Sequence, residues 1–139
     1  MADEQLLHEE AMVKACIVKE RRERWLELLK SSKHRHKITE SLAHPHPAWF
    51  DARYVKKILP SQSHAAGIYE TLRAKGAGTT YWAISEAARV DGRELDLKSA
   101  LSEIVGSQIR TILSCVPGKL AYLDSEDGRF ILERTSSPS

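Results

Sequence analysis

The sequence has few cysteines, no long apolar run and no pattern of a secretory signal. Its 139 residues include only two cysteines, Cys16 and Cys115, far apart and without the spacing of a metal or redox motif, so no disulfide scaffold is expected. No apolar run approaches the roughly 20 residues that cross a bilayer, which argues against a membrane partner. The acidic start lacks the basic and apolar regions of a secretory signal. We therefore expect a cytoplasmic protein.

The glycine motifs that cradle phosphates are also missing. Neither G-x-G-x-x-G nor G-x-x-x-x-G-K-[ST] occurs, so the sequence predicts no dinucleotide or P-loop site, and we expect no cofactor. The remaining composition is that of an ordinary globular protein, with 42% apolar and 29% charged residues. At this length we predict a single domain over residues 1–139.

The formal net charge of +2 conceals a strong asymmetry along the chain. Residues 1–13 carry −4, residues 14–57 carry +7 and residues 58–139 carry −1. The basic excess is therefore confined to the N-terminal half, where it predicts a binding surface. The residues expected to form that surface are Arg21, Arg22, Arg24, Lys33, Arg35, Lys37 and Trp49.

The first part of the chain, residues 4–59, has the pattern of helices. Residues 4–31 contain no Gly or Pro and place their apolar residues on one broad face, which predicts one long helix or two with a break near the middle. A further short helix is expected before His44-Pro45-His46-Pro47, where each proline disfavours helix in the residue before it. Residues 49–59 then predict a short helix with Asp51 as its N-cap.

The second part of the chain predicts a sheet with one inserted helix. Residues 79–84 are β-branched and aromatic, which is typical of a strand, and Asp96 predicts the cap of a helix over residues 97–105. Three further strands, separated by tight turns such as Pro117-Gly118, predict an antiparallel meander. Helices before a small, mostly antiparallel sheet indicate an α+β fold. The predicted segments are a helix over residues 63–76, the sheet over residues 79–134 and a frayed tail over residues 135–139.

Several side chains near the predicted sheet have the chemistry of an active site. Ser85 and Glu86 follow a strand and Asp91 lies in a turn, and paired carboxylates can do acid–base work or hold Mg²⁺. Ser114 and Cys115 end a strand before a tight turn, a position that nucleophiles use. The same residue types also cap helices, shape turns and fill cores, and we favour this structural interpretation. The alternative is a small hydrolase-type enzyme with its site at one end of the sheet.

Four of the six histidines form two H-x-H pairs, His34 with His36 and His44 with His46. Imidazoles two residues apart point the same way only in extended backbone, where they can share an ion such as Zn²⁺. The first pair lies among lysine and arginine side chains that repel a cation, and in a helix its rings would splay about 200° apart. We therefore favour a solvated basic segment, with a histidine-bound metal protein as the alternative.

The basic N-terminal half also has features of a nucleic-acid-binding surface. Lysine and arginine release counterions from phosphates, and Trp25, Trp49 and Tyr54 offer stacking surfaces nearby in sequence. Against this, glutamates alternate with the arginines, and the pI of about 8.6 falls below the pI above about 9 of dedicated nucleic-acid domains. We favour a binding or regulatory module for a protein partner, a second copy of the chain or an acidic surface, and keep nucleic acid as a second possibility.

Several distinctive short segments lie in the C-terminal half, namely Ile84-Ser85-Glu86, Asp91-Gly92-Arg93-Glu94-Leu95, Ala100-Leu101, Val105-Gly106 and Ser114-Cys115-Val116-Pro117-Gly118-Lys119-Leu120-Ala121-Tyr122. Through these, and through Leu42-Ala43-His44 and Arg53-Tyr54-Val55, the chain resembles a family of small uncharacterised bacterial proteins over about residues 18–134. The chain departs from that family at residues 44–49, where an acidic stretch is expected. The resemblance implies a bacterial, cytoplasmic protein and carries over no activity and no catalytic residue.

Overall fold

A six-stranded sheet runs through the molecule with helices packed on both of its faces. The computed structural model describes residues 3–31, 33–41, 50–87, 91–105, 107, 109–125 and 128–134. Every neighbouring pair of strands is antiparallel, and the strand order is β1-β6-β5-β4-β2-β3. The strands are β1 (Val55–Lys57), β2 (Thr80–Ser85), β3 (Glu94–Asp96), β4 (Thr111–Val116), β5 (Leu120–Ser125) and β6 (Gly128–Glu133).

In the described ranges, three α-helices precede the main part of the sheet, one follows β1, and one is inserted between β3 and β4. This arrangement confirms the predicted α+β fold class. Within the described residues, no helix combines the length and the apolar character needed to cross a lipid bilayer. The helices are α1 (Asp3–Cys16), α2 (Lys19–Lys30), α3 (His36–Ser41), α4 (Ala65–Ala74) and α5 (Leu97–Ile104).

Side chains that alternate along the central strands supply one apolar cluster on each face of the sheet. Leu113 and Tyr122 pack with α4 and α5, whereas Ile112 and Leu123 pack with α1 and α2. The sheet is therefore shared by two cores. The buried helix residues in these cores include Met12, Val13, Trp25 and Leu29 on one face and Ile68, Leu72, Leu101 and Ile104 on the other.

The segment over residues 4–31 contains two helices, α1 and α2, which confirms the second of the two expectations for it. The break lies at Ile17 and Val18, where Val18 is extended at φ −60° and ψ 145°. Ile17 is fully buried and forms an isolated antiparallel bridge with Phe50, so packing in the core interrupts the helix. Arg22 Nε donates to the carbonyl of Ile17 at 2.9 Å and satisfies a backbone acceptor left at the break.

The prediction of a helix over residues 49–59 is wrong. In the part of that range that the structure describes, residues 50–59, the chain forms a 3₁₀ turn and a short strand instead. Asp51 Oδ1 does accept the backbone N–H of Arg53 at 3.1 Å, but only one 3₁₀ turn, Ala52–Tyr54, follows. The chain then enters β1, an edge strand in which Val55 pairs with Leu132 of β6. The physical reason is a pairing across about 75 residues, which the local spacing of apolar residues does not reveal.

The helix predicted over residues 63–76 is present as α4 and is shorter than expected. Its first residue is Ala65, and the cap is His64, whose Nδ1 accepts the backbone N–H of Gly67 at 3.1 Å. Gly76, at φ 112°, terminates this segment as predicted, because a side chain is rarely tolerated at positive φ.

The cap and turn predicted in the second half of the chain are confirmed. Asp96 accepts the backbone N–H of Ser99 at 2.9 Å and begins α5. Between β4 and β5, the Lys119 N–H donates to the Val116 carbonyl at 3.0 Å and Gly118 has φ 71°, as a type II turn requires. The predicted tail over residues 135–139 lies outside the described residues.

Candidate functional site

The guanidinium of Arg35 ties three distant parts of the chain together. Its Nη1 and Nη2 each donate to one oxygen of Glu9 at 2.9 Å, and its Nε and Nη2 donate to the two oxygens of Asp91 at 2.9 and 2.8 Å. Only 12% of the Arg35 side chain and 6% of the Glu9 side chain are exposed. Burial alone would lower the pKa of Arg35, but the hydrogen bonds with Asp91 and Glu9 outweigh it and raise that pKa.

This Glu9–Arg35–Asp91 triad fixes the helices relative to the sheet. Glu9 lies on α1, Arg35 just before α3, and Asp91 in the turn between β2 and β3. Asp91 Oδ1 also accepts the backbone N–H of Ser85 at 3.0 Å, and Arg35 Nη1 donates to the Leu29 carbonyl at 3.1 Å. Arg35 was predicted on the binding surface, but its donors are used within the protein and it therefore does not belong to that surface.

The structure brings Ser85, Glu86 and Asp91 to one open cleft of about 390 Å³ at an end of the sheet. Ser85 is 4% exposed, its Oγ lies 2.8 Å from Thr111 Oγ1 and accepts the N–H of Ala87 at 3.0 Å. These bonds use the hydroxyl to hold the end of β2 against β4. The residues that line the cleft are Arg35, His36, Thr39, Glu40, Ser85, Glu86, Asp91 and Arg110.

Within the described part of the chain, Glu86 pairs with Arg110. Its two oxygens accept the backbone N–H of Arg110 at 2.8 Å and the Arg110 Nε at 3.1 Å. The pair clamps the residue after β2 to the residue before β4. Each of the three predicted residues at this cleft thus has a structural partner of its own, which agrees with the structural interpretation that the sequence favoured.

Ser114 and Cys115 lie away from that cleft and on opposite faces of β4. Ser114 is 5% exposed, and its Oγ lies 2.8 Å from Nδ1 of His8 on α1. The gap beside Ser114, between Met12 and Leu120, is too small to admit a water molecule. The serine therefore has a histidine partner but no room for a substrate, and the contact secures α1 to the sheet.

Cys115 faces the core between the sheet and α4 and α5. It is 9% exposed, and burial raises the pKa of its thiol to about 12. Its Sγ lies 3.7 Å from the Leu113 carbonyl oxygen. A thiol with that pKa is protonated at neutral pH and is a poor nucleophile.

Both histidines of the first pair, His34 and His36, form hydrogen bonds with residues close to them in sequence. His34 Nδ1 lies 2.9 Å from Ser31 Oγ, and His36 Nδ1 donates to the Lys33 carbonyl at 3.1 Å. His44 and His46 lie outside the described residues. Among the residues that the structure does describe, no three His, Cys, Asp or Glu side chains are grouped to hold a metal ion.

We use the name basic surface for the exposed cations of α2, of the residues that follow it, and of the first turn of α3. Arg22 is half-buried and bonded to Ile17, and the predicted Trp49 lies outside the described residues. Arg24 is 58% exposed and lies 3.9 Å from Glu27, a weak surface ion pair. The residues of the basic surface are Lys19, Arg21, Arg24, Lys30, Lys33 and Lys37.

Of the predicted stacking residues, the structure describes Trp25 and Tyr54, and neither is free for stacking. Trp25 is fully buried, with its ring 5.7 Å from that of Phe50 in a T-shaped contact. Tyr54 is half-buried, and the guanidinium carbons of Arg53 and Arg134 lie 5.1 and 4.8 Å from its ring centre. The stacking surface that the sequence suggested for nucleic acid is therefore largely occupied by the protein itself.

Sequence reasoning missed His8, Glu9 and Arg110. Glu9 and His8 lie on α1, and nothing local in the sequence pairs them with residues 26 and 106 positions away. Comparisons with protein-family models, with curated proteins and with solved structures give no match for this chain.

Proposed function

We propose that the protein is a small binding module that contacts an acidic patch on a partner protein through its basic surface. One observation supports this proposal above the others. Between residues 19 and 37, the described chain exposes six Lys or Arg side chains against three Glu side chains, whereas Arg22 is half-buried and Arg35 is largely buried. An excess of exposed cations in one segment steers an acidic partner and sets its orientation.

The pattern of charge within this surface favours a protein over nucleic acid. Glu20, Glu23 and Glu27 are exposed on the same helix and are interleaved with the cations. A continuous phosphate backbone would be repelled by these carboxylates, whereas a protein surface can match charges of both signs. The burial of Trp25 also removes a platform on which bases would stack.

The state of the predicted nucleophiles supports binding over catalysis. The Ser114 hydroxyl is buried beneath α1 and bonded to His8. The Cys115 thiol is also buried, and burial raises its pKa. At the cleft, Ser85 and Asp91 bond to neighbouring backbone. A general base needs both a nucleophile within reach and space for the reacting group. Ser114 has His8 within reach but no space beside it, whereas Ser85 and Asp91 line an open cleft but bond to backbone groups, so neither place meets both conditions.

Two variants of equal net charge test the proposal. The surface variant carries Arg21→Gln, Arg24→Gln, Lys33→Gln and Lys37→Gln. The control carries Arg73→Gln, Arg93→Gln, Lys98→Gln and Lys119→Gln, four exposed cations elsewhere on the chain. Binding to labelled poly-L-glutamate and to single-stranded DNA is measured by fluorescence anisotropy at low and high salt.

We expect wild type and control to bind poly-L-glutamate alike, and the surface variant to bind at least about tenfold more weakly. We also expect binding to weaken as salt rises. Equal affinities of the surface variant and the control, or binding that salt does not change, would overturn the proposal. Tighter binding of the DNA than of the peptide would replace it with a nucleic-acid function.

A further inference from the structure

The sheet ends in two edge strands whose charges are opposite. β1 and β3 stand first and last in the strand order, so within the described chain each pairs with one neighbouring strand only. Lys56 and Lys57 are exposed on β1, whereas Glu94 and Asp96 are exposed on β3. None of these residues belongs to the basic surface, so the two edges are separate from the surface of the proposed function. An edge strand offers unpaired backbone groups to another chain.

The hydrogen bonds of β1 show which of its backbone groups point outward. In an antiparallel pair, alternate residues bond to the partner strand, and the residues between them direct their N–H and C=O groups away from it. The Ile58 N–H donates to the carbonyl of Arg129 in β6 at 3.0 Å. Lys56, two residues before Ile58, therefore also turns its backbone groups toward β6. Val55 and Lys57 direct theirs outward.

The same alternation applies to β3. The Leu97 N–H donates to the Thr79 carbonyl at 2.8 Å, so Leu97 turns its backbone groups toward the side of β2. Leu95, two residues earlier, does the same, whereas Glu94 and Asp96 direct backbone groups outward. Each edge therefore presents two outward residues with one inward residue between them, and the two edges match in spacing.

The outward residues of both edges carry their side chains on the same face of the sheet. Val55 packs with the core on the α1 and α2 side, and Lys57 is two residues further along the strand. Glu94 is paired with Trp82, whose ring centre lies 6.3 Å from that of His8 on α1. Directly opposite residues of neighbouring strands share a face. The two edges can therefore adjoin with the α1 and α2 side of one copy next to the same side of another.

We propose that β1 of one copy of the chain pairs with β3 of a second copy. Neighbouring strands alternate in direction across the sheet, so β1 and β3 run in opposite directions and the new pair is antiparallel like all the others. When the outward residues oppose each other, Lys57 of one copy lies opposite Glu94 of the other, and Val55 lies opposite Asp96. Cross-strand pairs of opposite charge stabilise a sheet.

The same charges disfavour the pairing of either edge with itself. Two copies of β1 would place Lys56 opposite Lys56, and two copies of β3 would place Glu94 opposite Asp96. Like charges directly opposite each other are destabilising. The contact therefore uses a different surface on each copy, and every added copy leaves one free β1 and one free β3, so that the assembly grows from end to end instead of closing as a dimer.

Analytical ultracentrifugation of the full chain at concentrations up to about 1 mM tests this inference, because short edge strands give weak association. We expect the mean mass of wild type to rise with concentration past that of a dimer. Lys57→Glu and Glu94→Lys should each weaken association at least about tenfold, because each places like charges opposite each other. The matched controls are Lys119→Glu and Glu70→Lys, which make the same charge changes at exposed residues outside both edges and should associate like wild type.

Mixing the two edge variants separates a lost contact from a damaged fold. An equimolar mixture of Lys57→Glu and Glu94→Lys again offers opposite charges at every contact between unlike copies, so it should associate about as strongly as wild type. A variant that had merely misfolded would not be rescued in this way. The proposal would be overturned by a wild type that stays monomeric at all these concentrations, by a mass that levels off at a dimer, by edge variants that associate like their controls, or by a mixture that associates no more than its two components alone.

Discussion

Arg35 and Glu9 form a two-pronged contact in which each Nη atom of the guanidinium donates to one carboxylate oxygen at 2.9 Å. Asp91 accepts from the other edge of the same guanidinium, so one cation neutralises two carboxylates that come from α1 and from the turn after β2. Planar, paired geometry of this kind is a property of arginine that lysine cannot reproduce. The basic half of the chain is therefore attached to the sheet through a buried charge.

The loss of Arg35 is expected to be severe. Arg35→Ala leaves Glu9 and Asp91 facing each other without a cation, and breaking a buried pair on one side costs about 3–5 kcal/mol. We expect that loss in the free energy of unfolding, measured by urea denaturation. The control is Lys33→Ala, which changes an exposed residue two positions away and should stay within about 0.5 kcal/mol of wild type. Equal losses in the two variants would contradict the triad.

His8 should make stability depend on pH. Burial lowers its pKa below the usual value near 6.5, even though Glu4 and Glu94 act in the opposite direction. Between its lowered pKa and the usual value, the unfolded chain binds a proton that the folded chain does not. The free energy of unfolding should therefore fall as the pH drops below about 6.5, and the contribution of His8 is fully present only above that value.

Urea denaturation of wild type and of His8→Gln, compared just above and well below that pH, measures this contribution. We expect His8→Gln to lose less stability on acidification than wild type does. His36→Gln, a replacement of an exposed histidine, should retain the wild-type loss. An unchanged pH dependence in His8→Gln would show that this ring does not carry the effect.

Both cysteines should be unreactive in the folded protein. Burial raises the pKa of Cys16 and of Cys115 to about 12, and both side chains are buried. Because the thiolate is the reactive form, we expect Ellman's reagent to modify neither thiol at mildly alkaline pH until denaturant is added. The variants Cys16→Ala and Cys115→Ala assign any reaction to one residue. Rapid labelling of Cys115 in the native protein would reopen the hydrolase-type alternative.

The parts of the fold that the sequence predicts correctly depend on local chemistry. Asp96 precedes a helical pattern and caps α5, and Gly118 follows Pro117 and takes the positive φ that its turn demands. β1 was missed because its partner lies far along the chain, and three residues that pair only with β6 leave no periodic pattern of their own.

The same distinction applies to the candidate sites. Ser85, Glu86 and Asp91 were predicted to gather at one end of the sheet, and they line one cleft because a strand end and the next turn are neighbours in sequence. The partners of Arg35 and Ser114 are set by how α1 docks on the sheet. That docking depends on the packing of whole faces, which charge and spacing in a single sequence do not specify.

The shared sheet predicts that the two cores unfold together. Leu101 of α5 is fully buried on the α4 and α5 side of the sheet, whereas Trp25 and Trp82 lie on the α1 and α2 side. Leu101→Ala should lower the free energy of unfolding by about 2–5 kcal/mol through the cavity that it leaves. Because both cores depend on the same strands, tryptophan fluorescence and circular dichroism should report the same shifted midpoint in urea. Leu7→Ala, at a residue that is 59% exposed, is the matched control and should barely move either midpoint. Separation of the fluorescence midpoint from the circular dichroism midpoint in Leu101→Ala would show that the two faces unfold independently.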